Sequence, residues 1–263
     1  CIAIGGTGMA PLACLLQAAG HRVRGSDGPL YPPMSTLLDR AGIEPLLGYD
    51  GERLAAGSPP DLVIVGNAVP RSNPEAEAVE RLGWPRLSMP EALGRFFLAR
   101  RDPLVVAGTH GKTTTTSMAS WVLDACGRDP GYLIGGVPLD LDESFRIGTG
   151  ERFVIEGDEY NAAYFDRGPK FLHYRPHTLI LTSVEHDHVD LYADPESLRA
   201  AFRQLIAPVP ATGRTAACGD DPEVRSLFED PSSGAAVARA PVVFYGLDPS
   251  NDVRPAGTGV RGE

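Results

Sequence analysis

The sequence predicts an α/β fold of two domains, a doubly wound first domain and a second domain in which strands and helices also alternate. A short apolar run, a glycine-rich turn and a helical pattern follow one another over residues 2–19, and the same succession returns over 105–125. Further strand candidates alternate with helical patterns along the rest of the chain, which is typical of βαβ units. The length of 263 residues also exceeds one typical domain. We expect one domain over 1–99 and a second, complete or incomplete, over 100–263, with a linker at Arg100–Pro103.

Composition limits the classes of partner. Lys and Arg number 24 against 34 Asp and Glu, so the net charge is −10 and general binding to nucleic acid is disfavoured. No apolar run reaches the length of a membrane span, and no basic and apolar leader opens the chain. The four cysteines form no CxxC pair, which argues against a zinc site and a disulfide framework. We therefore expect a cytoplasmic protein with reduced thiols and with neither a membrane nor a nucleic acid as partner.

The first strand, turn and helix unit is a candidate anion site. The strand candidate Ile2-Ala3-Ile4 leads into Gly5-Gly6-Thr7-Gly8-Met9, and a helical run over 10–19 follows. Backbone N–H groups in such a turn, together with the start of the helix, favour a bound phosphate. Ser26-Asp27 stands at about the sequence position where dinucleotide-binding folds have an acidic residue that binds ribose. The glycine fingerprint of dinucleotide-binding folds has a third glycine where this chain has Pro11, so a nucleotide diphosphate is favoured over NAD as the ligand. A tight turn without a ligand is the alternative.

The rest of the first domain continues the alternation of helices and strands. A proline-started helix after Tyr31 ends at Gly42, and a buried strand over 61–66 is followed by Asn67. Asn67 is a candidate ligand residue because open α/β sheets bind ligands at the carboxyl ends of their strands. Two further helices are predicted over 74–82 and 90–98.

The second strand, turn and helix unit predicts a phosphate loop. An apolar strand ends in Gly108-Thr109-His110-Gly111-Lys112-Thr113-Thr114, and a helix follows. Lys112 would lie along the β and γ phosphates of a nucleotide, and the Thr113 hydroxyl would reach Mg²⁺. Val106 stands where the general pattern has glycine, so an ordinary glycine turn is the alternative. We expect the apolar residues of the helix to form its buried face: Met118, Trp121, Val122 and Ala125.

Two acidic stretches follow strands of the second domain. Glu156-Gly157-Asp158-Glu159 comes after the strand candidate at 153–155, and Glu185-His186-Asp187-His188-Val189-Asp190 comes after that at 178–181. Carboxylates at the same sheet edge as the phosphate loop favour a site for metal ions and a triphosphate, although either stretch alone could be a solvated loop. His188 is an unusual ligand for Mg²⁺, which prefers oxygen. Further elements are predicted as a strand over 242–245 and helices over 195–206 and 222–228.

Together these motifs resemble the Mur ligases, the ATP-dependent amide-forming enzymes of bacterial peptidoglycan synthesis. The resemblance rests on the glycine turn with Gly25-Ser26-Asp27, the phosphate loop and both acidic stretches, in family order. It implies a Rossmann-like domain that binds a UDP-sugar and a central P-loop ATPase-type domain. It also implies a C-terminal domain, to which nothing in this chain corresponds. Ser183 and Gly157 depart from the family, which usually has asparagine and alanine there.

Two segments resemble one branch of the family in particular. They are 31–38 and the run from Asp158-Glu159-Tyr160 to 176. They look like the branch that joins the tripeptide L-alanyl-γ-D-glutamyl-meso-diaminopimelate to UDP-N-acetylmuramate in peptidoglycan recycling. The branch that adds L-alanine is the alternative. A noncatalytic module that senses nucleotides is a third hypothesis.

The resemblance also implies roles for individual residues. Lys112, Glu156 and His188 would be catalytic, and Mg²⁺ ions would be held by Thr113, Glu156 and His188. The residues that would bind ATP are Gly108, Thr109, His110, Gly111, Lys112, Thr113 and Thr114. The residues that would bind the UDP-sugar are Gly6, Thr7, Gly8, Met9, Ser26, Asp27 and Asn67.

Overall fold

The computed structural model describes residues 1–141, 143–185, 192, 194–229, 232 and 236–256. They form two main sheets, one in the first hundred residues and one in the rest, with helices packed on both, and a separate two-stranded hairpin. The largest hydrophobic cluster is continuous between the two parts, because it contains Leu12 and Phe97 as well as Val105 and Phe153. The α/β prediction is therefore confirmed, and the two sheets share part of one core.

The first sheet is parallel and consists of two strand pairs that are joined through one residue, Ile2. Its strands are β1 (Ser26–Asp27), β2 (Leu46–Leu47), β3 (Val63–Val65) and β4 (Arg86–Ser88). β1 pairs with β2 and β3 pairs with β4, while Ile2 bridges Ser26 on one side and Val65 on the other. The predicted strand over Ile2-Ala3-Ile4 is therefore too long. Ala3 has a φ of 62°, so the backbone turns away from the sheet directly after Ile2.

Helices of the first part cover this sheet. They are α1 (Met9–Ala18), α2 (Met34–Arg40), α3 (Gly51–Ala56), α4 (Pro74–Leu82) and α5 (Met89–Leu93), which a π-helical turn (Gly94–Leu98) extends. The predicted bounds of α4 are confirmed. The Asn73 side chain accepts hydrogen bonds from the first-turn N–H groups of Glu75 and Ala76, and Gly83 ends the helix with a φ of 64°. α3 was not predicted, although Asp50 caps it in the same way.

Within the described residues, the second sheet has seven strands in the order β13-β12-β11-β5-β8-β6-β7. All its pairs are parallel except β6 with β7. The strands are β5 (Asp102–Ala107), β6 (Gly131–Leu133), β7 (Phe145–Arg146), β8 (Arg152–Gly157), β11 (Thr178–Leu181), β12 (Arg214–Cys218) and β13 (Val242–Tyr245). Ala107 at the end of β5 is level with Gly157 of β8 and Leu181 of β11. The loops after these three strands therefore leave from one edge. The predicted linker is too long, because Asp102 and Pro103 already belong to β5.

The remaining elements complete the second part. The helices are α6 (Lys112–Ala125), α7 (Pro195–Ile206) and α8 (Pro222–Ser226). An antiparallel hairpin, β9 (Asn161–Ala163) and β10 (Asp166–Pro169), follows β8 and runs into a 3-10 turn (Lys170–His173). None of the described helices combines the length and the apolar character that crossing a membrane requires.

The predicted buried face of α6 is wrong. Met118, Trp121 and Val122 are 63%, 50% and 50% exposed, and Ala125 is exposed as well. The side that faces the sheet carries Lys112, Thr116 and Ser120, which recur every four residues. The phosphate loop sets where α6 begins and therefore which side turns inward. Ser120 is satisfied locally, since its hydroxyl donates to the Thr116 carbonyl at 2.8 Å.

Candidate functional site

The loop between β5 and α6 has the backbone conformation of a phosphate cradle. Gly108 and Gly111 adopt φ values of 138° and 77°, which favour glycine. A Cβ on Gly108 would also lie only 2.1 Å from the Thr182 hydroxyl oxygen. α6 starts at Lys112, directly after Gly111, so its first N–H groups face the loop. The strand, loop and helix prediction is confirmed even though Val106 departs from the general pattern.

Residues after β11 support this loop. The Ser183 carbonyl accepts a hydrogen bond from the Thr109 N–H at 2.8 Å, and the Ser183 hydroxyl accepts one from the His110 N–H at 3.2 Å. The Thr182 hydroxyl donates to the His110 carbonyl at 2.6 Å. Ser183 thus fixes the loop at the position where the family usually has asparagine. Sequence reasoning missed this role because 74 residues separate Thr109 from Ser183.

Lys112 is held by the loop and by a buried carboxylate. Its ammonium group donates to the carbonyl of Gly108 at 2.7 Å and to that of Thr109 at 3.4 Å. It also pairs with Glu159 Oε2 at 3.2 Å, and the two side chains are 10% and 0% exposed. In the sequence, Glu159 was identified only as part of an acidic stretch. Its ion pair with Lys112 was not predicted, because it is a tertiary contact.

Thr113 and Glu156 come together as the sequence predicts. The Thr113 hydroxyl donates to Glu156 Oε2 at 2.9 Å, and the Gly135 N–H donates to Oε1 at 2.6 Å. Burial raises the pKa of Glu156 above its ordinary value, and these two hydrogen bonds offset part of that rise. Gly135 lies in a loop after β6, a strand that was not predicted. A hydroxyl and a carboxylate are the oxygen donors that Mg²⁺ prefers, so this pair fits the ion.

The second acidic stretch lies mostly outside the described residues. The residues outside the description include His186, Asp187, His188 and Asp190, so the predicted metal and catalytic role of His188 stays a prediction. Glu185 is described, and its Oε2 lies 3.3 Å from Nε2 of His110 in the phosphate loop. Within the described residues, no group of three or more His, Cys, Asp or Glu side chains is arranged to hold a metal ion.

A cavity of about 420 Å³ lies at the carboxyl edge of the first sheet. Its walls include Gly6, Asp27, Tyr31, Tyr49 and Val69. Gly6 and Asp27 were predicted, Tyr31 opens the segment that resembles one branch of the family, and Tyr49 was missed.

Asp27 organises this cavity. Its carboxylate accepts hydrogen bonds from the N–H groups of Gly5 and Gly28 at 2.7 Å each and from the Tyr49 hydroxyl at 2.8 Å. Burial, and next the bond to Asp27, raise the pKa of Tyr49 to about 12. Asp27 therefore joins the glycine turn to Tyr49, and all three line the cavity.

The other residues predicted to bind the UDP-sugar lie outside the lining of this cavity. Met9 is buried in the main core, and Gly8 precedes the first turn of α1. Ser26 is buried, and its hydroxyl donates to the buried carboxylate of Glu75. Thr7 and Asn67 are exposed. Their predicted contacts with a ligand stay predictions.

Two family models match this chain. The model described as "Mur ligase family, catalytic domain" matches residues 1–101, and the model described as "Mur ligase middle domain" matches residues 106–258.

Curated relatives of two kinds are similar to the chain. A UDP-N-acetylmuramate–L-alanyl-γ-D-glutamyl-meso-2,6-diaminoheptandioate ligase from Escherichia coli K12 is 49% identical over 81% of this chain and 46% of its own length. A UDP-N-acetylmuramate–L-alanine ligase from an Arthrobacter species is 39% identical over 87% of this chain and 46% of its own length. The chain spans about half the length of the curated relatives it matches.

Solved structures agree with these similarities. The ligase for UDP-N-acetylmuramate and L-alanyl-γ-D-glutamyl-meso-diaminopimelate from Neisseria meningitidis superposes with a TM-score of 0.86 at 39% identity, over 93% of this chain and 76% of that chain. A murein peptide ligase from Psychrobacter arcticus gives a TM-score of 0.80 at 37% identity, over 93% and 52%.

Proposed function

This chain belongs to the Mur ligase family, and we propose that it carries the ATP and UDP-sugar sites of a ligase that joins L-alanyl-γ-D-glutamyl-meso-diaminopimelate to UDP-N-acetylmuramate. The observation that carries the proposal is the contact of the Thr113 hydroxyl with the Glu156 carboxylate, 2.9 Å apart beside the phosphate loop. It places two oxygen donors that suit Mg²⁺ beside the phosphate cradle, which supports a role in phosphoryl transfer. The higher identity to the tripeptide ligase than to the L-alanine ligase supports the choice of amine. The division into domains 1–99 and 100–263 is part of the proposal.

The proposed reaction has two steps. The lactyl carboxylate of UDP-N-acetylmuramate attacks the γ-phosphorus of ATP, which gives an acyl phosphate and releases ADP. The amine of the tripeptide then attacks the acyl carbon, the amide bond forms, and phosphate leaves. Because two anions meet in the first step, positive charge and N–H donors must be fixed around them beforehand.

Residues of the second sheet would supply that environment. The loop between Gly108 and Gly111 would surround the phosphates with backbone N–H groups, and the start of α6 adds its partial positive charge. Lys112 would hold the β and γ phosphates, since its ammonium group already lies on the loop. Thr113 and Glu156 would hold Mg²⁺, together with His188 if the family pattern extends to it. The bound ion would neutralise phosphate charge.

Residues of the first sheet would bind the other substrate. The cavity beside Gly6 and Asp27 is the proposed place for UDP, and the glycine turn with the start of α1 would face its phosphates. Asp27 would keep the turn in place through the N–H of Gly5. We also propose a cytoplasmic location, which the four free cysteine thiols support.

The amine specificity is tested with the full-length ligase, ATP, Mg²⁺ and UDP-N-acetylmuramate. Phosphate release is measured with the tripeptide and, separately, with L-alanine, and the Lys112→Met variant serves as the inactive control. We expect turnover with the tripeptide alone. Turnover with L-alanine alone would assign the protein to the L-alanine-adding branch. Wild-type protein that is silent with both amines but still binds nucleotide would favour the sensing module.

A further inference from the structure

A β-hairpin connects the two halves of the proposed active site. The hairpin comprises β9, β10 and the turn between them, residues 161–169. It begins just after the acidic stretch that contains Glu156 and Glu159. At the other end, Lys170 pairs with Asp158 at 3.1 Å, which closes the base of the hairpin beside that stretch. The base is therefore fixed to the phosphate site.

The turn of the hairpin packs on the first sheet. The Tyr164 hydroxyl donates to Glu80 Oε1 of α4 at 3.1 Å, and the Arg86 guanidinium of β4 lies over the Phe165 ring, 4.9 Å from its centroid. The two rings also pack edge to face, with centroids 5.0 Å apart. The contacts with Glu80 and Arg86 join residues that are far apart in sequence, so they hold the turn at a defined place on the first sheet.

A polar contact fixes the start of β10 in the same way. The hydroxyl of Ser88, which is fully buried at the end of β4, donates to Asp166 Oδ2 at 3.3 Å. The same oxygen lies 2.7 Å from Nε2 of His173. Asp166 therefore joins β4 of the first sheet to the 3-10 turn of the second part.

The packing of the turn extends to the wall of the cavity. Tyr164 and Phe165 pack against a buried cluster that contains Val65 and Val69. Val69 also lines the cavity proposed for UDP. A continuous set of contacts thus leads from the cavity wall through the hairpin to the acidic stretch and to Lys112.

We infer that this hairpin sets the position of the UDP-sugar site relative to the phosphate loop, and that Tyr164 and Phe165 are positioning residues for the first step. The inference rests on the proposed function. Attack of a carboxylate on a phosphorus atom requires the reacting atoms at about 3–3.5 Å, and a misplacement of about 1 Å can reduce the rate about 100-fold. Neither residue needs to touch a substrate, because each acts by fixing one sheet against the other.

The first test compares matched phenylalanine variants of the full-length ligase. Phe165→Ala removes an arginine contact between the sheets, whereas Phe96→Ala removes a similar contact inside the first part, where Arg95 lies 5.7 Å from the Phe96 ring centroid. We expect Phe165→Ala to lower kcat about tenfold with KM values within about twofold, Phe96→Ala to change neither, and Phe165→Tyr to restore kcat. Equal effects of the two alanine variants, or a loss confined to KM or to thermal stability, would overturn the inference.

A second test needs no turnover, so it separates this inference from the proposed function. Calorimetry measures the affinity of the wild type for UDP-N-acetylmuramate with and without a non-hydrolysable ATP analogue. We expect each ligand to raise the affinity for the other, and we expect Phe165→Ala to abolish this coupling while each ligand alone binds as before. Absence of coupling in a wild type that binds both ligands would overturn the inference even if ligation is demonstrated. A wild type that does not bind UDP-N-acetylmuramate would overturn the proposed function and this inference with it. Coupling that Phe165→Ala abolishes, in a protein that fails to ligate, would overturn the proposed function but would support the role of the hairpin in fixing the two sites against each other.

Discussion

Replacing Glu159 with glutamine tests whether the buried ion pair with Lys112 stabilises the second sheet. At the observed 3.2 Å separation, the gross attraction is about 5 kcal/mol for an effective dielectric constant of about 20. Desolvation of both groups offsets much of this value, but removing one partner leaves the other charge buried, which typically costs about 3–5 kcal/mol. Lys112 keeps the carbonyl acceptors of Gly108 and Thr109. We therefore expect a loss near the lower limit, about 3 kcal/mol, or roughly 6–12 °C in melting temperature.

The assay is thermal unfolding, followed by circular dichroism, of the wild type, Glu159→Gln, Lys112→Met and the double variant. The double variant should lose about 2 kcal/mol less than the sum of the single losses, because it removes both charges together. Glu52→Gln is the control, since Glu52 pairs with Arg81 in an ion pair whose side chains are 83% and 59% exposed, and we expect it to leave the melting temperature unchanged. Additive single losses would refute the reasoning that the pair acts as a unit.

Further predictions concern the metal position, the cavity and the core. Glu156→Gln should lower turnover about 100-fold or more while UDP affinity is retained, because it removes the charged oxygen ligand proposed for Mg²⁺; unchanged turnover would contradict that role. Because burial raises the pKa of Glu156, its carboxylate gains a proton earlier as pH falls, so Mg²⁺-dependent nucleotide affinity measured by calorimetry should weaken in acid, and a wild-type profile as flat as that of Glu156→Gln would disprove this. Tyr49→Phe removes the hydroxyl bond to Asp27 and should weaken UDP binding about tenfold without changing ATP affinity; equal losses for both ligands would point to a general structural defect instead. Gly157→Ala should destabilise by about 1–3 kcal/mol, because the added Cβ would lie 2.8 Å from Cγ1 of Val105; an unchanged melting temperature would show that this core relaxes without cost.

Elements with strong end signals could be predicted from the sequence. The predicted bounds of α4 and α7 agree with the structure, since proline stands in the first turn of each and Asn73 and Asp194 cap them. β11 and β13 were also predicted with the observed bounds. By contrast, β6 and β12 were missed. β6 has only three residues, and β12 has two alanines and one threonine among its five residues, so neither gives a strong apolar pattern.

The residues of the candidate site can likewise be divided into those that the sequence predicted and those that it did not. Lys112, Thr113 and Glu156 were predicted because each stands at a fixed offset from a strand end, and parallel strands end at one edge of the sheet. Thr182, Ser183 and Gly135 hold the loop and the carboxylate, and these roles were not predicted. Their roles depend on contacts between segments that are far apart in the chain.

The sequence by itself determined the α/β class, the strand, loop and helix unit at the phosphate loop, and the residue types that a phosphate site needs. Those features are local, because capping, glycine turns and hydrophobic periodicity act over a few residues. Tertiary structure alone decided that the apolar side of α6 faces outward, that Glu159 pairs with Lys112 and that the hairpin reaches the first sheet. In α6 the loop conformation at Gly111 overrides periodicity, since the backbone must first orient Lys112 and Thr113 toward Glu159 and Glu156. The pairings of Glu159 and of the hairpin depend on which strands become neighbours, and that is a property of the assembled sheets.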